Sequence, residues 1–247
     1  MPSFELAASS GAVILEMDVH TSSDGEVVVH HDDTLERTTN GSGPIHALDY
    51  AEIEGLDAGY RFRAPDGGAT FRGKGVSIPR LEDVLGAFPR SGFNLEIKQR
   101  TPSMIRPVLD LLTKVGPSDI VVTAGDDAIM QELEAARPGV PLGLSSAQCW
   151  SVWKRAWLGR MHRADWAGRS LQVPAWYKGV LPVLTRRVIQ QAHRAGVDVH
   201  LWTINRPEVA RRWLERGVDG IMSDDPGALS EVFRKLRGAV DGRRKLQ

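Results

Sequence analysis

The chain has 247 residues, a length that one α/β barrel would use whole and that would also accommodate two small domains. Hydrophobic residues make up 42% and charged residues 25%, which excludes a disordered or fibrous chain. Lys plus Arg and Asp plus Glu both number 31, so there is no general positive surplus to meet phosphates, and no nucleic-acid partner is expected.

Helix-like and strand-like segments alternate along the chain, which predicts a parallel sheet with crossover helices. Ser3 to Ser10 predicts a short helix, broken by Gly11, and Val13 to Val19 predicts a strand. Residues 26–32 predict a second extended run that ends in His30-His31-Asp32. A polar stretch, about 33–75, holds the turn cluster Asn40-Gly41-Ser42-Gly43-Pro44 and predicts an insertion over one end of the domain, not a linker. Leu81 to Phe88 predicts a helix and Gly92 to Lys98 a strand. Residues 103–115 carry Ile105, Val108, Leu109 and Leu112 at helical spacing. Asp119 to Thr123 predicts a strand, Asp127 to Ala136 a helix, and 141–145 a short strand.

The segment 150–168 holds four of the seven Trp residues among Arg and Lys, and predicts loop and helix packing. Ser170 to Pro174 predicts a strand, 184–195 a helix and 197–204 a strand. Pro207 to Arg216 predicts a helix with Pro in its first turn, where a missing N–H costs nothing. Gly220 to Ser223 predicts a strand, 227–238 the last helix, and 239–247 a frayed basic tail. The pattern has seven main strands and opens with a helix. The lone Cys149 excludes an intrachain disulfide or a thiolate zinc cage. No uncharged run reaches the ~18 residues of a membrane span, and the first residues carry no secretory signal pattern. A cytoplasmic chain without membrane contact is expected.

Four groups of residues could carry chemistry. In Val13-Ile14-Leu15-Glu16-Met17-Asp18-Val19, Glu16 and Asp18 lie two apart and share one strand face. The apolar neighbours predict a strand buried on both faces. Two carboxylates there would repel each other and pay desolvation, which a hard cation relieves. An exposed strand end, with both groups solvated or paired to Arg, would show the same spacing. His20, two residues past Asp18, joins that face if the strand continues. In Asn94-Leu95-Glu96-Ile97-Lys98, Glu96 and Lys98 share a face, either as a metal ligand beside a phosphate-binding ammonium or as an ion pair. In Val29-His30-His31-Asp32, one His could transfer protons near neutral pH, or the pair could be solvated at a strand end. In Val199-His200-Leu201-Trp202-Thr203-Ile204-Asn205, Trp202 could offer an apolar wall to a small ligand or fill the core.

Taken in order and spacing, these stretches resemble the glycerophosphodiester phosphodiesterase family. The matching runs are Leu15-Glu16-Met17-Asp18-Val19, Thr21 with Asp24-Gly25, and Val28-Val29-His30-His31-Asp32-Asp33-Thr34-Leu35-Glu36-Arg37-Thr38-Thr39. They continue with Ile78-Pro79-Arg80-Leu81-Glu82-Asp83-Val84-Leu85, Asn94 to Lys98, Gly196, Trp202 to Asn205, and Gly217-Val218-Asp219-Gly220-Ile221-Met222-Ser223-Asp224-Asp225-Pro226. The resemblance implies an α/β fold of the TIM (β/α)8-type barrel over residues 1–247. It implies that Glu16, Asp18 and Glu96 bind one divalent cation, Ca²⁺ or Mg²⁺. His31 matches a catalytic His, Lys98 a phosphate contact, and Trp202 an aromatic on the glycerol side. The implied partner is a small-molecule phosphodiester, cleaved to glycerol 3-phosphate and an alcohol.

The family opens with a strand bearing His-Arg-Gly, followed by Pro-Glu-Asn-Thr, and nothing here matches either. The departure predicts a barrel without its first strand and with one of its two catalytic histidines missing. The preferred expectation is a natural start upstream of Met1. The others are a short chain of impaired activity, down to a non-catalytic barrel that binds glycerol phosphates or serves as a scaffold, and a homodimer in which a second copy fills the gap.

Overall fold

A computed structural model describes residues 1–64, 66–177 and 181–244. It divides into two compact units, one of Met1–Glu5 with Ile14–Val140 and one of Leu6–Val13 with Pro141–Gln247. Helix α1 (Pro2–Ser9) runs through the boundary between their first segments.

In the first unit, β1 (Ile14–Thr21), β3 (Gly92–Ile97) and β4 (Ile120–Thr123) form a parallel sheet, with β2 (Val27–Val29) antiparallel on the far side of β1. The strand order is β4-β3-β1-β2. Leu15, Met17 and Val19 of β1 are buried, as are Phe93, Leu95 and Ile97 of β3. Helices α3 (Leu81–Ala87), α4 (Ile105–Val115) and α5 (Asp127–Ala136) bury one apolar face each. On α4 that face is Ile105, Val108 and Leu112, the spacing of a helix against a sheet. Gly92 opens β3 where a side chain has no room: a Cβ there would sit 2.8 Å from Asp119 Oδ2 and 3.1 Å from Ile14 Cγ1.

The expected second extended run at 26–32 is a strand only over Val27–Val29, and it is antiparallel to β1. Only Ser22 to Glu26 separate β1 from β2, too few residues for a crossover. The turn closes by Gly25 N–H donating to Ser22 O at 3.1 Å and Glu26 N–H donating to Ser22 Oγ at 2.9 Å, with Gly25 at φ 91°. His30, His31 and Asp32 therefore lie in the loop beyond the strand.

The expected insertion at 33–75 is folded around its own core. A 3-10 turn (Ile45–Ala47) and α2 (Tyr50–Glu54), capped by Asp49, bury Ile45 and Ile53 with Val28, Leu35 and Ile78.

In the second unit, β5 (Leu142–Gly143), β6 (Arg169–Val173), β9 (Asp198–Leu201) and β10 (Gly220–Ile221) form a parallel sheet in the order β10-β9-β6-β5. A hairpin pairs β7 (Trp176–Tyr177) with β8 (Leu181–Pro182). Helices α6 (Ser146–Leu158), α7 (Arg163–Trp166), α8 (Arg186–Arg194), α9 (Pro207–Leu214) and α10 (Pro226–Arg244) accompany the sheet. The seven expected main strands thus correspond to three parallel strands in one unit and four in the other. The last helix runs on to Arg244, so 239–244, expected to fray, are helical, while 245–247 lie outside the described residues.

Candidate active site

The site grows from the period of β1. Odd residues 15, 17, 19 and 21 point into the core; even residues Glu16, Asp18 and His20 share the other face. That face is not buried throughout, contrary to expectation. Ile14 is 47% exposed and Glu16 is exposed, while Asp18 is half-buried and His20 is buried. The reason is pairing: β2 covers β1 only at Val19 to Thr21, and no strand among the described residues flanks the other edge of Ile14 to Met17.

On its paired edge, β1 runs parallel to β3 in a register that sets Glu16 opposite Asn94 and Asp18 opposite Glu96. The carboxylates of Glu16, Asp18 and Glu96 each offer an oxygen, and these atoms all lie within 4.8 Å of one another. Lys98 Nζ lies 3.1 Å from Asp18 Oδ1 and 3.0 Å from Glu96 Oε1. One ammonium therefore answers three carboxylates. Burial, then Asp18 and Glu96, push Glu16 up to about 7, despite the open edge of its side chain. Burial also raises Asp18, against the pull of Lys98. Burial alone would lower Lys98, but Asp18 and Glu96 outweigh it and hold the ammonium above its usual value. Three oxygen ligands with surplus negative charge suit a hard divalent cation, so the donor set fits Ca²⁺ or Mg²⁺.

The loop after β2 adds a proton-transfer group. His30 N–H donates to Asp18 O at 3.0 Å and ties this loop to the acidic strand. His31 is 66% exposed, with Nδ1 2.6 Å from Asp32 Oδ1. Arg37 donates to both Asp32 oxygens, through Nε to Oδ2 and through Nη2 to Oδ1 at 2.9 Å. Its guanidinium is the main reason Asp32 lies far below the usual carboxylate range. Asp32 is thus an acceptor, which puts the His31 proton on Nδ1 and leaves Nε2 open. His31 also lies in electrostatic reach of Glu16 and Asp18. The Asp32–Arg37 brace was not singled out by sequence reading. Its signal was the carboxylate directly after His31 and a guanidinium five residues beyond it.

The other histidines of this unit near β1 are engaged or enclosed. His30 donates from Nδ1 to Asp32 O at 2.9 Å and meets Thr38 Oγ1 with Nε2 at 2.8 Å. His20 shares the face of Glu16 and Asp18, as expected if the strand continued. Its side chain is 2% exposed, with Nδ1 3.9 Å from Asp33 Oδ1, and burial pushes its pKa below the usual histidine value.

The structure therefore brings Glu16, Asp18, Glu96 and Lys98 together, with His31 beside them. Trp202 belongs to the second unit, directly after β9, and is 44% exposed, so it is not a core Trp. No helix among the described residues is long and apolar enough to cross a membrane.

Comparison with known proteins agrees with this geometry. Residues 1–228 match the profile of the glycerophosphoryl diester phosphodiesterase family. The chain is 30% identical over 240 residues to the glycerophosphodiester phosphodiesterase of Caldanaerobacter subterraneus subsp. tengcongensis, covering 94% of this chain and 90% of that one. It is similar to the crystal structure of an Oleispira antarctica phosphodiesterase in complex with the product sn-glycerol-3-phosphate, at TM-score 0.74 and 26% identity, covering 94% and 90%. The glycerophosphoryl diester phosphodiesterase domain of a Mycobacterium tuberculosis protein shares the fold at TM-score 0.80 and 18% identity, covering 93% and 90%. The expected fold class, α/β of the TIM-barrel type, is borne out.

Proposed function

The chain belongs to the glycerophosphoryl diester phosphodiesterase family, and on that premise we propose that it hydrolyses glycerophosphodiesters to glycerol 3-phosphate and an alcohol. The observation that carries this reading is the cluster of Glu16, Asp18 and Glu96, with ligand oxygens within 4.8 Å of one another and Lys98 Nζ beside two of them. A relative of the same fold binds sn-glycerol-3-phosphate, the product this reaction would release.

Glu16, Asp18 and Glu96 would hold one divalent cation, Ca²⁺ or Mg²⁺. When bound, it supplies charge neutralisation at the phosphate. Lys98 presents a compact positive charge at the cluster and receives a non-bridging phosphate oxygen. His31, its Nδ1–H held by Asp32, presents Nε2 to the substrate, where the neutral ring takes a proton from the attacking water and the resulting imidazolium returns it to the departing alkoxide. Trp202 lines the glycerol side of the substrate, a role supported by the match of Trp202-Thr203-Ile204-Asn205 to the family motif.

A second reading, a barrel that binds glycerol phosphates with little turnover, has its own observation. His30 uses both ring nitrogens and the unpartnered Nε2 of His20 is buried, so among the described residues near the cluster His31 is the one His whose open nitrogen belongs to an exposed side chain. Both readings meet in one experiment: hydrolysis of glycerophosphocholine with Ca²⁺, with Mg²⁺ and with chelator. Cation-dependent release of glycerol 3-phosphate supports the enzyme. Binding of glycerol 3-phosphate without release at high enzyme concentration supports the second reading.

We read 1–247 as one domain, acting in the cytoplasm. The unflanked edge of β1 at Ile14 to Met17 is the surface a second copy would cover. Light scattering that shows only monomer at working concentration overturns the dimer.

A further inference from the structure

Positive charge is concentrated in one stretch of the chain. Residues 141–216 hold thirteen Lys and Arg against four Asp and Glu, although the whole chain is balanced. Two of those four acids are already paired, Glu208 with Arg206 and Glu215 with Arg211. Within the second unit, a cavity of about 550 Å³ gathers Arg186 from α8, Arg212 from α9 and Arg216 from the turn after α9 around Trp176 and Trp213. Arg216 stacks over the Trp213 ring at 4.8 Å. Among the described residues, none of the three guanidinium groups has an ion-pair partner. Arg212 lies within electrostatic reach of Glu208, but that carboxylate is already ion-paired to Arg206, so the hollow keeps a positive surplus that suits phosphate oxygens.

The same surface carries apolar side chains that the core does not take. Trp153 and Trp166 pack against the core of this unit, but Trp157 is 57% exposed, Leu158 52% and Trp176 54%. The end of α6 adjoins the start of α8: a Cβ at Gly159 would lie 3.4 Å from Arg187 Nη2. Gly159, directly after Trp157 and Leu158, therefore lies close to Arg187, the chain neighbour of Arg186, with Lys154, Arg155 and Arg160 exposed along the same stretch of chain. Exposed Trp and Leu interleaved with Arg is the composition of a surface that rests at the boundary between lipid head groups and acyl chains.

We propose that this face of the second unit docks on an anionic lipid bilayer, with head-group phosphates in the Arg186–Arg212–Arg216 hollow and Trp157, Leu158 and Trp176 in the interface. This replaces the sequence-based expectation of no membrane contact. A free phosphate would satisfy the arginines but leave the Trp and Leu side chains in water. A nucleic acid would do the same.

The test is co-sedimentation of the full chain with phosphatidylglycerol vesicles and with phosphatidylcholine vesicles. The expected result is binding to the first at least about tenfold tighter than to the second, weakening as salt rises. Arg186→Glu/Arg212→Glu/Arg216→Glu lowers that binding about tenfold or more. Trp157→Ala, an exposed position whose loss leaves the core intact, lowers it several-fold on its own and keeps the test open if the triple variant misfolds. The proposal is overturned if the protein stays in the supernatant with phosphatidylglycerol vesicles at low salt. It is equally overturned if Trp157→Ala binds like the parent, or if duplex DNA binds as tightly and displaces the vesicles.

Discussion

Asp18 and Glu96 face each other across adjacent parallel strands, in direct register, and share the ammonium of Lys98 at 3.1 and 3.0 Å. Two acids from strands 78 residues apart in sequence are thereby held on one point. Glu96→Gln removes one of three negative ligands while keeping size and hydrogen-bonding capacity. Calcium or magnesium affinity, measured by calorimetry, is expected to fall by about 10–100-fold, with hydrolysis falling in step. Unchanged affinity would mean that the cluster does not hold the ion.

Lys98 is the counter-charge of the cluster when no cation is present. Lys98→Met leaves Glu16, Asp18 and Glu96 facing one another without it. The expected cost is about 1–2 kcal/mol in urea unfolding with chelator present, moderated by partial exposure. Added divalent cation should restore most of that loss but not the KM for substrate, because the phosphate contact stays missing.

Glu16 sets the pH dependence. Its ionisation in the folded protein is pushed up to about 7 from an ordinary value of 4.5. The fold without cation therefore favours the protonated form, and this contribution to stability is present below the unfolded value and lost as pH rises through about 7. Cation binding runs the other way, since a ligand must be ionised. Below pH 7 the affinity should drop by about tenfold per unit. The increase in melting temperature on adding Ca²⁺ or Mg²⁺ should accordingly be larger at pH 8 than at pH 5.5; equal increases would contradict it.

His31 and Asp32 divide the proton-transfer role. His31→Ala should reduce kcat by about 10²-fold or more with KM little changed. Asp32→Asn keeps the ring in place but no longer enforces the proton on Nδ1, so a smaller loss of kcat and an altered pH–rate profile are expected. Stopped assays on glycerophosphocholine across pH separate the two.

Gly25 turns β1 back into β2 at φ 91° and so delivers His31 to the acidic strand. Gly25→Ala has open space around the new Cβ, so its cost is backbone strain alone, about 1 kcal/mol in urea unfolding. A larger loss of kcat than of stability would show that the turn also aims the His31 loop.

The sequence by itself determined everything with a local period. Two-residue spacing puts Glu16 with Asp18, and Glu96 with Lys98, on single strand faces, because alternation of side chains is a property of any extended chain. Helical spacing identified α4, and Pro207 the start of α9. Tertiary structure decided what depends on partners distant in sequence. Backbone pairing of β1 with β3 chose the register that sets Asp18 against Glu96, and one residue of slip would have turned the acids apart. The short Ser22–Glu26 turn made β2 antiparallel and left His31 in a loop braced by Arg37. The gathering of Arg186, Arg212 and Arg216 needs two helices to come side by side, and no spacing along one chain segment encodes that.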